Sequence, residues 1–358
     1  MRAAVFTAVD QPLTVEDVEL IPPGPRDLVV QVAASGVCHS DLSIARGYVP
    51  FPPPTILGHE GTGTVLEVGP EVSRVAVGDH VIASFVPACG TCWFCLRDQS
   101  NLCESSLGFG ATPRVRRKDG TQAPCMTGLG TFAEAMTVDE ASVVKVQTDL
   151  PPEQLALIGC GVTTGVGAAL NTARVQPGST VAVIGCGGVG QSVIQGARIA
   201  GAARIIAVDP VELKRKTAEQ LGATDLVDPN AGDPVAQVQA LTGGRGADYA
   251  FEVIGLPETV QQAYAMARRG GTAVVVGMPR MDTTVTLPGF SLFYDEKKVL
   301  GCVYGSAQVR RDFPRLISLA ENGRLDLGAM VSRRIKLDEV NDAFRAMDAG
   351  EVIRSVII

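Results

Sequence analysis

The ten residues VAVIGCGGVG, Val181 to Gly190, decide the fold class of this 358-residue chain. An apolar strand runs directly into a glycine-rich turn, and the residues after the turn, QSVIQGARIAG, have the apolar spacing of a helix. The next apolar strand, RIIAVD, ends at Asp209, about 20 residues beyond the turn. This order of strand, glycine turn, helix and acid predicts a Rossmann unit that binds a dinucleotide.

Each residue type in this motif has a chemical reason. Glycine lets the backbone approach a pyrophosphate, and the N-terminus of the following helix offers N–H groups to it. The Asp209 carboxylate can accept hydrogen bonds from an adenosine ribose and would repel a 2′-phosphate, which favours NAD over NADP. Lys214 and Arg215 follow and leave that preference partly open. The alternative is that the glycines only pack a strand against a helix. The motif residues predicted to contact the cofactor are Gly185, Gly187, Gly188, Val189 and Gly190.

The segments on either side of the motif differ in their predicted secondary structure. From about Pro151 to TAVVVGMP, near Val276, apolar strands alternate with helical stretches such as ELKRKTAEQLG, which predicts a parallel sheet with helices on both faces. The preceding residues predict short strands broken by Gly and Pro. After about Lys297 the pattern is mixed, with predicted helices at FPRLISLAENG and DEVNDAFRAMDAG. We expect this tail to return to the first domain.

Composition limits the possible partners and location. Apolar residues make up 46% of the chain, and the formal net charge is −7. An acidic surface argues against nonspecific binding to nucleic acid or to anionic membranes. The N-terminus, MRAAVFTAVDQ, lacks a signal-peptide pattern, and no apolar run approaches the ~18 residues that span a bilayer. We therefore expect a cytoplasmic protein.

The stretch CGTCWFCLRDQSNLC holds four of the nine cysteines. Disulfides are unfavourable in a reducing cytosol, so metal binding is the first hypothesis for this spacing. Four thiolates fill the tetrahedral coordination of zinc and leave no position for a substrate, so such a site is structural. The alternative is four unrelated buried thiols. The predicted structural ligands are Cys89, Cys92, Cys95 and Cys103.

A second set of metal-binding residue types is dispersed along the chain. It comprises Cys38 in GVCHSD, His59 and Glu60 in GHEGTG, and Cys160 in IGCGVTTG. Two cysteines and one histidine would leave the fourth zinc position open for water or substrate. Spacing alone does not bring these residues together, and a single cysteine in an apolar context is more often a core residue.

The chain resembles the zinc-dependent medium-chain alcohol dehydrogenase family over nearly its whole length. The resemblance rests on GVCHSDL, LGHEGTGTVLEVGPEVSRVAVGDHV, the four-cysteine stretch, GCGVTTGVGAALN, VAVIGCGGVG and the terminal GEVIRSVII. It looks closest to the branch that includes class III and actinobacterial thiol-dependent formaldehyde dehydrogenases. The resemblance implies an α/β protein in which a mostly-β, GroES-like catalytic domain with a structural zinc lobe (1–155 and 298–358) encloses a doubly wound Rossmann domain (156–297), with the active site between them.

The resemblance also assigns roles to single residues. It implies that Cys38, His59 and Cys160 bind a catalytic zinc, which Glu60 can approach. Asp41 matches a carboxylate that orients the histidine, and Ser40 matches the hydroxyl that hydrogen-bonds the substrate oxygen. Phe85 matches a wall of the substrate pocket. The further residues implied to contact the cofactor are His39, Thr164, Lys214, Val276 and Arg354, in addition to Asp209 and the glycine turn.

The reaction implied by the resemblance is reversible hydride transfer between an alcohol or aldehyde on zinc and NAD(H). Many family members end the proton relay in a histidine five positions after the first cysteine ligand, where this chain has Ser43. Oxidation of a thiol–formaldehyde adduct is the alternative substrate. A non-catalytic nucleotide-binding protein on the same fold is a third hypothesis, which the intact set of Cys38, His59, Cys160 and Ser40 disfavours. A homodimer or homotetramer is expected.

The segment GATPRVRRKDGTQAP bears on the substrate, because it concentrates positive charge. Recognition of an anionic part of a substrate is one interpretation of its cations, and a solvated surface loop is the interpretation we favour. The cations are Arg114, Arg116, Arg117 and Lys118.

Overall fold

The computed structural model describes residues 1–106 and 110–358 in full. By internal packing the chain divides into two compact units. Unit 1 comprises Met1–Gly161, Gln308–Asn322 and Val331–Ile358, and unit 2 comprises Val162–Ala307 and Gly323–Met330. The domain limits given above, at 155/156 and 297/298, stay a prediction.

The strands are as follows. Unit 1 begins with β1 (Arg2–Phe6), β2 (Thr14–Leu20), β3 (Asp27–Gly36), β4 (Thr55–Ile56), β5 (Glu60–Val68), β6 (His80–Ala83), β7 (Pro113–Arg117), β8 (Gln122–Pro124), β9 (Ala135–Asp139) and β10 (Val143–Lys145). Unit 2 contains β11 (Thr180–Ile184), β12 (Arg204–Val208), β13 (Asp225–Val227), β14 (Ala247–Glu252), β15 (Ala267–Val275) and β16 (Lys298–Gly301), and the chain ends in unit 1 with β17 (Val331–Ile335) and β18 (Arg354–Ile357).

The α-helices connect these strands. They are α1 (His39–Ala45), α2 (Pro152–Leu157), α3 (Thr163–Gly167), α4 (Gly188–Ile199), α5 (Glu212–Leu221), α6 (Pro234–Leu241), α7 (Pro257–Met266), α8 (Gly289–Tyr294), α9 (Val309–Glu321) and α10 (Val340–Asp348). The four helices that the sequence predicts within residues 191–349 are therefore present as α4, α5, α9 and α10.

Unit 2 is a parallel sheet with the Rossmann strand order. Its six strands follow the order β13-β12-β11-β14-β15-β16, which is the 3-2-1-4-5-6 order of doubly wound dinucleotide-binding sheets. The order reverses between β11 and β14, and ligands of such sheets bind at the carboxyl ends of the strands at that point. The glycine turn follows β11 directly, so the predicted fold class is confirmed and the motif lies at the expected end of the sheet.

Unit 1 is built from two mainly antiparallel sheets, in which β17 and β18 form a parallel pair. One sheet has the order β10-β6-β5-β3-β18-β17, with β9 also paired to β3, and a second has the order β4-β1-β2-β7-β8. The last strand, β18, pairs with β3 through Val356 opposite Gly36, so the C-terminal strand does join the N-terminal sheet. Phe6, Phe132 and Phe344 lie in the hydrophobic core beside α1 and α10.

A continuous helical run, Pro152–Thr172, contains α2 and α3 together with two π-helical turns, Ile158–Val162 and Ala168–Thr172. Contrary to the sequence expectation, this run is long and apolar enough to cross a membrane by length and composition. However, 83% of its most apolar window is buried inside the protein, as in a core helix. Wider π-helical turns are frequent at functional sites, and the first of these contains Cys160.

The positively charged segment at 110–124 is largely a β-hairpin rather than the loop expected above, because β7 pairs with β8. Its cations face carboxylates of unit 1. Arg114 pairs with Asp27, and Lys118 lies 2.8 Å from Asp17. Arg117 likewise pairs with Glu16. These pairs favour a structural role for most of the charge.

Candidate active site

Three elements of unit 1 bring the dispersed metal-binding residues together. Cys38 is the residue that caps the N-terminus of α1, and His59 and Glu60 lie at the start of β5. Cys160 lies in the first π-helical turn. One ligand atom from each of the four side chains lies within 4.8 Å of all the others, and all four residues are buried. The chain runs from β3 through α1 and β4 into β5, and β5 pairs with β3. The fold thus brings together metal-binding residues that are far apart in the sequence.

Asp41 holds two residues of this cluster, Cys38 and His59, in place by hydrogen bonds. Its carboxylate is fully buried and accepts hydrogen bonds from the backbone N–H of Cys38 at 3.0 Å and of Gly58 at 3.1 Å. It also lies 3.0 Å from Nδ1 of His59. A carboxylate at Nδ1 fixes the proton on that nitrogen, so that Nε2 is left as the ligand atom.

Burial and mutual contacts shift the pKa values of the side chains in this cluster. A hydrogen bond with Cys160 holds the pKa of Cys38 well below its ordinary value, while the same contact raises the pKa of Cys160 well above it. Burial by itself lowers the pKa of His59, but Asp41 and Cys38 together outweigh burial and hold that pKa well above its usual range. A metal ion bound here would compete with protons for the two sulfur atoms and for Nε2 of His59.

Glu60 is paired with an arginine from the last strand. Its Oε1 accepts a hydrogen bond from Arg354 Nη2 at 2.7 Å, and Arg354 Nη1 donates to the Val37 carbonyl at 3.0 Å. Burial raises the pKa of Glu60 to about 7, against the effect of Arg354. Its second oxygen, Oε2, is buried and has no hydrogen-bond partner among the residues that the structure describes.

Two glycines make room for this ion pair. A Cβ at Gly36 would overlap Glu60 Oε2, and a Cβ at Gly161 would overlap Arg354 Nη2. Neither glycine is among the site residues predicted from the sequence. Their closeness to the cysteines is visible there, since Gly161 directly follows Cys160 and Gly36 lies two residues before Cys38. Their role in making room for a carboxylate and a guanidinium is visible only in the structure.

The predicted substrate-side residues lie beside the cluster. Ser40 Oγ is 3.8 Å from Cys38 Sγ. The ring of Phe85 meets the ring of His59 edge-on, with centroids 5.5 Å apart. Ser43 is half-buried in α1, five residues after Cys38. A hydroxyl and an aromatic wall next to the metal-binding atoms suit a small organic substrate.

The donor set of the cluster fits zinc. Two thiolates and one imidazole are ligands that zinc prefers, and three protein ligands leave a fourth position. Glu60 Oε1 is paired with Arg354, while a carboxylate oxygen of Glu60 stays within 4.8 Å of the other ligand atoms and can approach a bound metal. These roles of Cys38, His59 and Cys160 stay predictions, although the geometry on which they depend is present.

The four cysteines of the stretch 89–103 form a second compact cluster. The sulfur atoms of Cys89 and Cys95 are 3.9 Å apart, as are those of Cys92 and Cys103. Four sulfurs bound to one zinc at about 2.3 Å lie about 3.8 Å from each other in a tetrahedron. Backbone N–H groups of Thr91 and Cys92 donate to Cys89 Sγ and lower the pKa of that thiol to about 5. The cluster therefore fits a closed four-thiolate zinc site.

The nucleotide motif of unit 2 is arranged around Asp209. Cys186 N donates to Asp209 Oδ2 at 2.8 Å, and Val211 N donates to Oδ1 at 2.8 Å. Gly185 has φ of +90°, a conformation that favours glycine. A Cβ at Gly190 would overlap the Gly185 carbonyl. The turn is therefore tight, and its helix, α4, begins at Gly188.

The other predicted cofactor residues are divided between the units. His39 and Arg354 begin α1 and β18 in unit 1. Thr164 lies in α3, Lys214 in α5, and Val276 directly after β15, all in unit 2. The cofactor roles of these residues stay predictions. The remaining cysteines, Cys125, Cys186 and Cys302, are buried, and burial raises the pKa of each of their thiols.

Two family models match the chain. One, described as "Alcohol dehydrogenase GroES-like domain", matches residues 24–148, and the other, described as "Zinc-binding dehydrogenase", matches residues 188–322. An NDMA-dependent alcohol dehydrogenase of Amycolatopsis methanolica is 39% identical over 100% of this chain and 98% of its own. An S-(hydroxymethyl)glutathione dehydrogenase of Synechocystis is 38% identical over 99% of both chains. The crystal structure of benzyl alcohol dehydrogenase from Acinetobacter calcoaceticus superposes with a TM-score of 0.93, at 32% identity, over 99% of this chain and 98% of that one.

Proposed function

Because this chain belongs to the zinc-dependent medium-chain alcohol dehydrogenase family, we propose that its two clusters have separate roles in one oxidoreductase. The chain is a zinc-dependent enzyme that transfers a hydride reversibly between an alcohol or aldehyde and a nicotinamide dinucleotide. In our proposal, Cys38, His59 and Cys160 hold the catalytic zinc, and the four cysteines of 89–103 hold a structural one. The observation that supports this division is the open three-ligand set beside Ser40, compared with the closed four-thiolate set.

Within unit 1, each residue has a chemical task. A zinc ion held there supplies Lewis acidity to the substrate oxygen. Ser40 accepts the hydroxyl proton of the alcohol and passes it outward. Asp41 keeps the His59 proton on Nδ1 and so keeps Nε2 a neutral ligand. Arg354 keeps the Glu60 carboxylate turned aside, so that one position stays available to the substrate.

In unit 2, the cofactor role falls on the glycine turn and Asp209. The N-terminus of α4 is suited to a pyrophosphate, because free backbone N–H groups attract anions. Asp209 is 95% buried, and a carboxylate in that position would repel a 2′-phosphate. We expect NAD to be preferred over NADP for this reason.

Ordinary alcohols and aldehydes are the proposed substrates. Oxidation of a thiol–formaldehyde adduct is the second candidate, because a relative at 38% identity is named an S-(hydroxymethyl)glutathione dehydrogenase. The cations at 114–118 give this candidate little support, since Arg114, Arg117 and Lys118 pair with carboxylates of the same unit.

The deciding experiment is a substrate panel with NAD⁺ and NADP⁺, with and without added low-molecular-weight thiols, on protein whose zinc content has been measured. Turnover of simple alcohols with NAD⁺ and two zinc ions per chain would support the proposal. Formaldehyde oxidation that appears only with an added thiol would favour the second candidate. Fewer than two zinc ions per chain and no turnover would favour a non-catalytic nucleotide-binding protein.

Ser43 stands where many family members have a histidine that ends the proton relay. We expect water or Ser43 to complete the relay. The change Ser43→His should therefore shift the pH dependence of alcohol oxidation by introducing a group that titrates near neutrality. A pH profile identical to that of the unchanged enzyme would count against a relay through this position.

A homo-oligomer is the proposed assembly. The strand β16 is at the edge of the parallel sheet, and the neighbouring α8 exposes large aromatic side chains. Phe290 is 74% exposed and Phe293 is 79% exposed, which is costly in water and typical of the core of an interface. A second copy of the chain could cover both the strand edge and these rings.

The free cysteines, including Cys125 and Cys302, fit the reducing cytoplasm that we propose as the location.

A further inference from the structure

Gln191 is a fully buried polar residue in the first turn of α4. Its Nε2 donates to the Cys186 carbonyl at 2.8 Å and to the Lys214 carbonyl at 2.8 Å. Both acceptors are carbonyl oxygens, so only a side chain with two N–H hydrogens at one atom satisfies them together. Its Oε1 is buried and has no hydrogen-bond partner among the residues that the structure describes. Burying an unpaired amide oxygen is unfavourable, so an apolar residue would be the simpler choice if this position served packing alone.

The two acceptors belong to two segments of the nucleotide site, the glycine turn and the start of α5. Cys186 is inside the glycine turn, and Lys214 is in the first turn of α5. Asp209 joins the same segments through their N–H groups, since Cys186 N and Val211 N donate to its two oxygens at 2.8 Å each. The Cys186 residue is thus held by Asp209 at its N–H and by Gln191 at its carbonyl.

This arrangement fixes the separation of two groups that a dinucleotide must contact together. The glycine turn and the N-terminus of α4 would meet the pyrophosphate, whereas Asp209 and α5 would meet the adenosine ribose. A ligand that contacts both gains affinity when their spacing is set before binding. From this geometry we infer that Gln191 is a positioning residue, which joins the glycine turn to α5 and thereby sets affinity for the adenosine–diphosphate half of the cofactor.

The inference rests on the proposed function, because it concerns the same nucleotide site, and it adds a specific consequence. Gln191 contacts the carbonyls of two segments and none of the residues assigned to the metal cluster. Its removal should weaken nucleotide binding and leave the hydride step at saturating cofactor nearly unchanged.

The chain provides a matched control in Gln195. This residue lies one turn further along α4 and is also fully buried. Its Nε2 donates to the Asp326 carbonyl at 3.1 Å and to Met330 Sδ at 3.5 Å, and Asp326 N donates to its Oε1 at 2.7 Å. None of these bonds reaches the glycine turn or α5. A methionine at either position keeps the length of the side chain and removes the amide.

The test compares Gln191→Met with Gln195→Met by calorimetric titration with ADP-ribose and AMP, together with kcat and KM for NAD⁺. We expect Gln191→Met to raise the Kd of ADP-ribose and the KM of NAD⁺ about tenfold, as loss of a buried hydrogen bond predicts. The kcat should stay within about twofold, and Gln195→Met should leave the Kd unchanged. Gln191→Asn, too short to span both carbonyls, is the second variant if Gln191→Met does not fold, and it should act in the same direction.

Two outcomes would overturn the inference. One is a Kd for ADP-ribose that is unchanged in the folded Gln191 variants, and the other is an equal rise in the Gln191 and Gln195 variants, which would indicate a general loss of stability. ADP-ribose binding needs neither an alcohol nor zinc chemistry. A wild-type protein that binds ADP-ribose but oxidises no alcohol would therefore refute the proposed reaction and leave this inference intact.

Discussion

Asp41 has three hydrogen-bond donors around a carboxylate that solvent does not reach. Two of them are the backbone N–H groups of Cys38 and Gly58, and the third is Nδ1 of His59. The first and the third of these contacts belong to residues that we propose as zinc ligands. One carboxylate thus sets both the path of the backbone and the proton position of the imidazole.

The change Asp41→Asn should expose this dependence. The amide keeps the shape of the side chain but removes the charge that favours the Nδ1 proton, so kcat/KM should fall by about 10- to 100-fold and zinc should be held more weakly. Steady-state kinetics and zinc analysis of dialysed protein measure the two effects. Asp338→Asn, at an exposed carboxylate paired with Arg2, is the control and should change neither quantity.

Gly161 controls the other side of the cluster. In Gly161→Ala the new methyl group would overlap Arg354 Nη2, so the Glu60–Arg354 pair must shift. We expect a loss of about 1–3 kcal/mol in the free energy of unfolding, as for other overpacked sites, and reduced activity because Glu60 is released toward the metal. Denaturant unfolding and kinetics test this. Gly289→Ala, where a Cβ meets nothing within 4 Å, should unfold like the wild type.

At the scale of the element, Cys103 is the one buried residue of the four-cysteine segment, 89–103, which the structure describes in full. Short helical turns, Cys95–Arg97 and Ser100–Leu102, contain no buried residues, and Trp93 and Leu96 are exposed. A segment without a core of its own depends on its metal for its structure. The bound zinc would thus replace the apolar core that the segment lacks.

Cys95→Ser should therefore act on stability before chemistry. We expect one zinc ion fewer per chain and a lower melting temperature, with kcat/KM of the remaining folded protein within severalfold of the wild type. Metal analysis and thermal unfolding check this. Cys125→Ala is the control, because Cys125 is buried outside both clusters, and it should keep both zinc ions. Full stability combined with lost turnover in Cys95→Ser would contradict a structural role.

The elements also show what local sequence can and cannot reveal. The glycine turn, its strand and its helix are contiguous, so VAVIGCGGVG was sufficient to predict a Rossmann unit. The ion pairs of the charged hairpin could not be predicted from local sequence, because the carboxylates opposite Arg114 and Arg117 lie about a hundred residues earlier in the chain. Nothing near the arginines indicates those partners.

At the scale of the whole molecule, the active-site cluster depends on long-range packing. Glu60 and Arg354 are 294 residues apart in sequence, and they meet because β18 pairs with β3, which in turn pairs with β5. Resemblance to a family could suggest Cys38, His59 and Cys160 as ligands. Residue spacing could not, since Cys160 lies about a hundred residues after His59 and meets it only in the folded unit.

The exposed aromatic surface of α8 gives a prediction for the assembly. Phe293→Asp should place a charge in the proposed interface and shift the protein toward monomers, since an unpaired buried charge is strongly unfavourable. Sedimentation velocity at several concentrations measures this. Leu96→Asp is the control, because Leu96 is also highly exposed, at 70%, but lies in the four-cysteine segment. A monomeric wild-type protein, or an unchanged assembly in Phe293→Asp, would contradict the proposed interface.

The difference in burial between the two clusters has a practical consequence for shelf life. Cys89, Cys92 and Cys95 are only half-buried, whereas Cys38, His59, Glu60 and Cys160 are buried. Dissolved oxygen, peroxide and chelators therefore reach the four-thiolate segment first. A stored preparation should lose that segment, and with it solubility, while its surviving molecules still turn over at the original rate. Ageing would thus show itself as turbidity before it shows itself as a lower specific activity of the clarified solution.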